Sequence, residues 1–344
     1  MEPQLEINAS RKFNSWLGEQ KASIAFSTYQ AGKLFLIGLK QDGSLSVFER
    51  TFERAMGLCV KGSSLYLATL YQIWRFENSL AGESQRYQGY DGLYVPQASS
   101  VTGDIDVHDI VVDSRDQLYF ANTLFSCVAE VSPTHSFKPY WQPSFVSKLA
   151  AEDRCHLNGL AMENDKPAYI TAVSTTDVHE GWREHRRDGG IVMDIRSNEI
   201  IADGLSMPHS PRLHNGELYF LNSGEGELVK LNPKTGEREV ICFCPGYARG
   251  LSFMGDYALI GLSKPRENKS FNGLALNEKL EAKKISPRCG LQVVNLKTGD
   301  VEHTLSLEGV VTEIYDVATL AGITTPMAIG LKTKEIQHMI SVEG

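Results

Sequence analysis

The chain has 344 residues, of which 42% are hydrophobic and 22% charged, a composition typical of a soluble globular protein rather than a disordered or fibrous one. Its 34 Lys and Arg residues against 42 Asp and Glu residues give a formal net charge of −8, which disfavours nucleic acid as a partner because nucleic-acid-binding surfaces are usually basic. No apolar stretch reaches the roughly 18 to 20 residues that a bilayer span needs, and the N-terminus lacks the basic-then-apolar order of a signal peptide, so we expect a cytoplasmic protein without membrane contact.

The first elements predicted along the chain are a short helix and three strands. Phe13, Trp16 and Leu17 recur at the spacing of an amphipathic helix, after a candidate N-cap at Ser10, so residues 1–21 are predicted to form a helical extension. Three β-rich runs follow, SIAFSTYQ, KLFLIGLKQ and SLSVFERTF, and the turn-forming dipeptides A-G and D-G separate them.

From Met56 onward a strand-rich unit recurs about every 50 residues. Each of the first five units reads as a short apolar run, a polar turn and a second β-rich run such as LYLATLY or LYFANTLF. When the six units are aligned, one column contains Gly57, Asp109, Gly159, Pro211, Gly250 and Ile314. Successive members of this column are 52, 50, 52, 39 and 64 residues apart. Repeats of this kind are typical of four-stranded propeller blades.

The sixth unit predicts how the fold closes. It contains an inner-strand candidate at residues 313–318 but no outer strands after it, whereas the chain begins with three strands that lack an inner partner. If the N-terminal strands complete the C-terminal blade, no sheet edge is left open between the two chain ends. We therefore predict an all-β fold, a single six-bladed β-propeller domain over residues 1–344 that is closed in this way and carries a short N-terminal helix.

Polar residues precede the predicted inner strands and should meet at one mouth of the central channel. Immediately before the aligned column stand Met56, His108, Asn158, Ser210, Arg249 and Glu313. Close by lie Arg54, Asp106, Asp109, His156, His209 and Asp316. This concentration of His, Asp, Asn, Arg and Glu predicts a pocket for a small polar or anionic organic molecule.

Two chemistries are compatible with this ring of residues. His108 and His209 with a carboxylate from Glu313 or Asp109 would suit a divalent metal ion that keeps open positions for water and substrate. Without a metal, His108 or His209 could act as a general base, with Arg249 binding an anion and Glu313 orienting an imidazole. In both cases the substrate-binding candidates around them are Asn158, His156, Asp109, Ser210 and Arg54. A third interpretation is that these side chains only bond to strand starts and fill a wet channel.

Two long insertions, residues 175–190 and 264–288, are predicted to cover the channel mouth, because loops between second and third strands emerge on the same face as the inner-strand starts. The first contains His179, Trp182 and Arg183, which could present a positive charge and an aromatic wall to a ligand. The second contains FNGLALNEKLEAKK, a candidate surface helix that could serve as a lid or as a partner contact. The segment 90–106 is also predicted to fold over the mouth, which makes Tyr94 and Asp106 secondary candidates.

The runs SIAFSTYQAGKLFLIG, RAMGL, HDI, HLNGLA, MPHSPR and RGL carry a resemblance to a known family. The chain resembles, over nearly its whole length, a bacterial family of uncharacterised six-bladed propeller-like proteins that are sometimes joined to tetratricopeptide repeats. The resemblance implies the propeller fold and carries no assigned activity. The architecture is also similar, more loosely, to that of propeller lactonases of the gluconolactonase and regucalcin type, whose tunnel binds a divalent metal, but their Glu/Asn/Asp set has no residue-by-residue match here.

Three functional hypotheses follow from the sequence. The first is an enzyme of hydrolase or isomerase type that acts on a small polar or anionic molecule at the channel mouth through acid-base or metal-assisted chemistry. The second is a non-catalytic binding module for a peptide, glycan or protein partner, and the third is a scaffold within a larger assembly. Motifs of serine hydrolases and phosphate-binding loops do not occur, and no sequence feature specifies an oligomeric state.

Overall fold

The fold is a ring of six β-sheets. The computed structural model of the protein describes residues 4–265 and 273–342. The innermost strands of the six sheets contact one another in sequence and return to the first, so the sheets are the blades of a closed six-bladed propeller. The predicted all-β propeller is confirmed.

The chain enters the ring through a strand, a helix and three outer strands. The strand β1 spans Glu6–Ala9, and the helix α1 spans Phe13–Gln20. The three outer strands of blade 6 follow: β2 (Ala22–Thr28), β3 (Lys33–Leu39) and β4 (Leu45–Thr51).

Each of the next five blades is built from consecutive strands, the innermost first. Blade 1 consists of β5 (Leu58–Lys61), β6 (Ser64–Ala68), β7 (Gln72–Asn78) and β8 (Gly92–Val101). Blade 2 consists of β9 (Val107–Val112), β10 (Leu118–Asn122), β11 (Cys127–Glu130) and β12 (Lys138–Trp141). Blade 3 consists of β13 (Leu157–Glu163), β14 (Lys166–Ala172), β15 (Gly190–Asp194) and β16 (Glu199–Leu205).

The remaining strands complete the ring. Blade 4 consists of β17 (Pro208–His214), β18 (Glu217–Asn222), β19 (Glu227–Leu231) and β20 (Arg238–Phe243). Blade 5 consists of β21 (Tyr247–Met254), β22 (Tyr257–Ser263), β23 (Gly290–Asn295) and β24 (Val301–Glu308), with the helix α2 (Ala275–Lys283) between β22 and β23. The last strands are β25 (Asp316–Ala321), which is the inner strand of blade 6, and β26 (Pro326–Ala328). Short 3-10 turns span Gly181–Glu184 and Lys334–Gln337.

Blade 6 joins the two ends of the chain as predicted. β25 pairs antiparallel with β2, in a register that runs from Ala22 opposite Ala321 to Ser27 opposite Asp316. Two additional strands reinforce the neighbouring blades, since β1 extends blade 5 beside β24 and β26 extends blade 1 in parallel with β8. Among the described residues no helix is long and apolar enough to cross a membrane.

The N-terminal extension differs from its prediction in detail. Residues 6–9 form a strand rather than part of a helix, and the helix begins after Lys12 without a side-chain cap. The predicted cap, Ser10, instead accepts a hydrogen bond at its Oγ from the amide of Thr304, 3.1 Å away. The buried side of the helix matches the predicted pattern, because Phe13 and Trp16 pack into the core cluster shared by blades 5 and 6.

The structure also corrects the repeat alignment in blade 6. The carboxylate of Asp109 accepts hydrogen bonds from the amide of the next residue and from the amide of Leu160 in the next blade. Asp316 does the same with the next residue and with Leu58, at 2.9 and 2.8 Å. Asp316, and not Ile314, is therefore the equivalent of Asp109, and the sixth position of the column was aligned two residues too early.

An arginine whose side chain is 20% exposed links three alternate blades across the channel. Arg212 of blade 4 forms a bidentate pair with Asp109 of blade 2, at 2.7 and 3.0 Å, and lies 3.6 Å from the carboxylate of Asp316 in blade 6. Burial raises the pKa of Asp316 to about 7, against the opposing charge of Arg212 and with the help of Asp109. We call these three residues the channel tie.

Substitutions in the channel tie should lower the free energy of unfolding by unequal amounts. Arg212→Met should lower the free energy of unfolding by about 3 to 5 kcal/mol, because it leaves Asp109 charged and buried. Asp316→Asn should cost about 1 kcal/mol, since Arg212 keeps Asp109 and the amide oxygen can still accept from Leu58. Urea unfolding measures both.

The control for this prediction is Arg238→Met on blade 4, whose exposed guanidinium lies 3.8 Å from the carboxylate of Asp203 and donates to the carbonyl oxygen of Asp203 at 2.8 Å. It should change stability by less than about 0.5 kcal/mol. Equal losses of unfolding free energy for Arg212→Met and Arg238→Met would contradict the stabilising role of the channel tie.

Candidate functional site

A cavity of about 400 Å³ opens at one mouth of the central channel, where the inner strands begin. Seven of the residues predicted for the site line it: His108, His156, His209, Arg54, Arg249, Trp182 and Arg183. They come from blades 1 to 5 and from the first insertion, so the ring brings together residues up to 195 positions apart, as between Arg54 and Arg249.

Glu313, predicted as a catalytic residue and metal ligand, does not line this cavity. Its carboxylate accepts a hydrogen bond from the backbone amide of Gln30, in the turn between β2 and β3, so it helps to hold the two chain ends together. In the corrected alignment Tyr315 takes the repeat position that His108 has in blade 2, and Tyr315 does line the cavity. The signal was present in the sequence, because Y-D-V at 315–317 matches H-D-I at 108–110 better than the alignment through Ile314 did.

Four further predicted residues have other positions. The Oδ1 of Asn158 accepts from the hydroxyl of Thr171 at 2.7 Å, and the Oγ of Ser210 accepts from the amide of Gly250 at 3.0 Å. Asp109 belongs to the channel tie, and His179 is exposed outside the cavity lining. For Asn158, Ser210 and Asp109 the predicted alternative, bonding within and between strands, is what the structure shows.

His108 and His209 are held in the same tautomer. Nδ1 of His108 lies 3.1 Å from the carbonyl oxygen of Asp106, and Nδ1 of His209 lies 2.7 Å from that of Met207. Because a carbonyl only accepts, each Nδ1 carries the proton. Asp106 and Met207 have positive φ angles of 58° and 50°, an unusual backbone for non-glycine residues that turns both carbonyls toward the rings.

Both imidazoles are neutral bases. Burial lowers the pKa of His108 and of His209 well below 6.5, and the nearby positive charge of Arg249 lowers both further. With the proton on Nδ1, the lone pair of each ring is on Nε2. Within the described part of the chain, no hydrogen bond involves either Nε2.

A third imidazole is oriented by a carboxylate that the sequence analysis missed. Asp153 lies 2.9 Å from Nδ1 of His156 and accepts from Nε1 of Trp182 at 2.7 Å. The His156 ring stacks on Trp182 with centroids 4.1 Å apart and meets the His108 ring edge-on at 4.9 Å. The D-x-x-H spacing of Asp153 and His156 was visible, but only the insertion's fold shows that Trp182 shares the same carboxylate.

Arg249 differs from the other cations around the cavity. Its Cζ lies 3.9 Å from the centroid of the Tyr315 ring, and among residues 4–265 and 273–342 no carboxylate pairs with it. The other three lining cations each have an acidic partner: Arg54 has Asp104 and Asp106, Arg183 has Glu180, and Lys264 has Glu308. Arg249 is half-buried, so its charge faces a partly desolvated space.

The two insertions pack together beside the cavity. Trp182, from the first, shares an apolar cluster with Leu276 and Leu280 of α2, from the second, and with Tyr247 of blade 5. The predicted helix of the second insertion is present, and its apolar side is buried against the same chain. Residues 266–272 of this insertion lie outside the described residues.

The segment 90–106 does not cover the mouth as a whole. Most of it is β8, the outer strand of blade 1, and Tyr94 is 1% exposed within the core. The prediction for Tyr94 is therefore wrong, because residues 92–101 form the fourth strand of blade 1 rather than a loop over the mouth. Asp106, at the end of the segment, lines the cavity.

The predicted metal site is not assembled. Glu313 and Asp109, the two carboxylates considered as ligands, are committed to backbone amides and to Arg212, away from His108 and His209. Among the described residues no group of three His, Cys, Asp or Glu side chains has a geometry that could hold a metal ion. The donor set does not fit a resident metal, and the charge of Arg249 beside both imidazoles opposes one.

Comparisons with known proteins agree with the fold. A family model described as "Domain of unknown function (DUF4915)" matches residues 11–329. A solved nidogen/laminin complex has a chain that is 12% identical, with a TM-score of 0.55 over 88% of this chain and 99% of that one. Virginiamycin B lyase from Staphylococcus aureus is 9% identical, with a TM-score of 0.40 over the same shares. A search of curated proteins returned no match. At 12% identity the likeness to the nidogen/laminin chain shows the fold alone.

The neutral imidazoles predict how stability depends on pH. In the unfolded chain both rings take up a proton near pH 6.5, whereas the folded protein resists protonation until a lower pH, so their contribution is complete above about pH 6.5 and is lost as the pH falls below it. Each ring adds a slope of at most about 1.4 kcal/mol per pH unit. Urea unfolding between about pH 8 and about pH 5 measures this.

The matched variant is His108→Asn/His209→Asn, since the side-chain amide can still donate to the carbonyls of Asp106 and Met207 but does not titrate. The free energy of unfolding of this variant should fall less steeply below pH 6.5 than that of the wild type. Superimposable pH profiles would mean that the two rings are not held neutral.

Proposed function

Since the chain belongs to the DUF4915 family, whose description assigns no activity, we propose from its own geometry that it is an enzyme. It binds a small organic anion in the cavity at the channel mouth, and an imidazole there acts as a general base. The observation that carries the proposal is the position of Arg249, a half-buried cation without a carboxylate partner among the described residues, beside two neutral imidazoles.

Arg249 supports anion binding. A guanidinium presents several N–H donors in a planar fork that matches a carboxylate, and hydrogen bonds between charged groups are stronger than neutral ones. The stacked ring of Tyr315 holds the guanidinium without neutralising it. The bound anion would give Arg249 the negatively charged partner that Arg54, Arg183 and Lys264 already have within the protein.

The positive charge of Arg249 also affects the basicity of His108 and His209. Arg249 contributes to the low pKa of His108 and of His209, so an anion that neutralises Arg249 removes part of that effect. Binding of the anion therefore raises the basicity of the rings that face it. A base whose pKa rises when substrate is bound is better suited to take a proton from the substrate or from a water beside it.

His156 supports this chemistry from the adjacent wall. Asp153 fixes its tautomer with the proton on Nδ1 and, by also binding Trp182, fixes the ring plane. Carboxylate-oriented imidazoles of this kind are common in acid-base catalysis. The arrangement serves either removal of a proton from a carbon next to a carboxylate, as in isomerisation, or activation of water, as in hydrolysis.

The first test measures anion binding. Small carboxylic acids are titrated into wild-type protein and into Arg249→Met, and binding is followed by ligand-observed NMR. Loss of the charged hydrogen bonds should weaken affinity by about 10- to 100-fold. Lys297→Met, which removes a cation paired with Asp256 elsewhere on blade 5, is the control and should bind like the wild type. Equal affinity in Arg249→Met and Lys297→Met would remove Arg249 from the site.

The second test measures proton transfer. The same acids are incubated with the protein in D2O, and NMR follows loss of C–H signal or formation of product. The wild type should act on at least one acid, and His108→Asn or His209→Asn should slow the reaction by about 10²- to 10⁴-fold, a far larger effect than any change in affinity. Binding without exchange or product in the wild type would favour the alternative function, a non-catalytic binding module.

A further inference from the structure

We infer that the cavity selects a polyhydroxylated carboxylate, an acid whose carbon skeleton carries several hydroxyl groups. This inference rests on the anion site proposed above and adds the chemistry of the rest of the ligand. It follows from which hydrogen-bonding atoms of the cavity are already used and which are available.

The available atoms are mainly acceptors. Nε2 of His108 and Nε2 of His209 carry lone pairs and no proton, because each ring donates from Nδ1 to a backbone carbonyl. The hydroxyl of Ser223 donates to the carbonyl of Ala248, and the hydroxyl of Ser263 donates to that of Ile314, so both protons are already committed. A ligand in contact with this wall must therefore bring donors.

The donors that fit are hydroxyl groups. An ammonium group would also donate, but it would lie beside the positive charge of Arg249. An acid without donors would cover both Nε2 atoms and leave them without water or partner, which disfavours its binding. Hydroxyl groups donate without adding charge, so they suit a wall of neutral imidazoles next to a guanidinium.

Aromatic rings of the cavity offer little to a flat ligand. The indole of Trp182 is contacted by the ring of His156 at 4.1 Å and by the guanidinium of Arg183 at 4.6 Å. The Tyr315 ring is contacted by Arg249 at 3.9 Å and by Tyr29 at 5.9 Å. The packing therefore does not favour the expectation that Trp182 presents an aromatic wall to a ligand, and hydrogen bonding remains as the source of selectivity.

The size of the cavity is consistent with this class. Its volume of about 400 Å³ lies near the lower end of small-molecule sites. An acid of three to about six carbon atoms with its hydroxyl groups fits a space of that order.

The test uses matched sets of molecules that differ in one feature. Each set contains a hydroxy acid, the plain acid of the same carbon number and the uncharged polyol: glycerate, propionate and glycerol; threonate, butanoate and threitol; gluconate, hexanoate and sorbitol. Affinities for the wild-type protein are measured by calorimetry or NMR. In at least one set the hydroxy acid should bind about 10-fold or more tightly than both other members.

Variants test separately the preference for hydroxyl groups and the preference for a carboxylate. His108→Asn and His209→Asn should each reduce the preference for the hydroxy acid over the plain acid by about 3- to 10-fold, because each removes one acceptor while keeping the donor to the backbone. Arg249→Met should weaken both acids and leave the polyol unchanged. Lys297→Met should match the wild type with every molecule.

The outcomes separate this inference from the proposed function. Plain acids that bind as tightly as hydroxy acids in all sets would overturn the hydroxyl selectivity and leave the anion site in place. Polyols that bind as tightly as hydroxy acids would overturn the anion site as well. Absence of binding by every member of the three sets would overturn both.

Discussion

Every feature of the site depends on one pairing, that of β25 with β2, which joins the two ends of the chain into blade 6. The residues around the cavity belong to different blades, and the inner strand of each blade packs against the inner strands of its two neighbours along the ring. An open array of the same blades would leave Tyr315 and Tyr29 at opposite ends of the structure, since they reach each other only through this blade. The contact of Glu313 with Gln30 and the packing of α1 between blades 5 and 6 strengthen the same junction. The entropic cost of closing so long a loop grows only with the logarithm of its length, by about 0.6 kcal/mol for each doubling.

A second set of interactions couples the blades to the positions of the site residues. Hydroxyl groups at or just after the ends of second strands donate to carbonyls at the start of the next blade: Ser27 to Met56, Thr123 to Leu157, Ser223 to Ala248 and Ser263 to Ile314. The residues that follow the last two carbonyls are Arg249 and Tyr315, which form the cation and its aromatic support. The bonds that hold adjacent blades together therefore also fix where these side chains enter the cavity, so stability and site geometry share one network.

The sequence predicted the features that local patterns encode. Alternating strands, turn dipeptides and the recurring apolar runs are properties of short segments, and they were sufficient for the six blades and their closure. The alignment failed in blade 6, where no second-strand pattern follows to fix the register, and the error of two residues exchanged Tyr315 for Glu313. Asp153 and Asp109 show the other limit. Whether a carboxylate orients an imidazole, as Asp153 does, or neutralises an arginine, as Asp109 does, depends on partners 29 and 103 residues away along the chain. No spacing rule contains that information.

Arg212 and Arg249 differ in whether carboxylates compensate their charge. This difference explains why Arg212 has a structural role and why we propose Arg249 as the residue that binds a ligand. Arg212 lies between Asp109 and Asp316, and partial burial of its charge is tolerated there because the carboxylates compensate it. Those two carboxylates are held by Arg212 and by amides of two inner strands, so they are not available to Arg249, whose guanidinium contacts the face of Tyr315 and, among the described residues, no carboxylate. The fold thus uses its channel acids to stabilise the ring and leaves Arg249 uncompensated at the mouth. A half-buried charge without a counterion in the described chain is unfavourable in the empty protein, and the free energy that an anion gains by compensating it is the reason to expect that a ligand binds there.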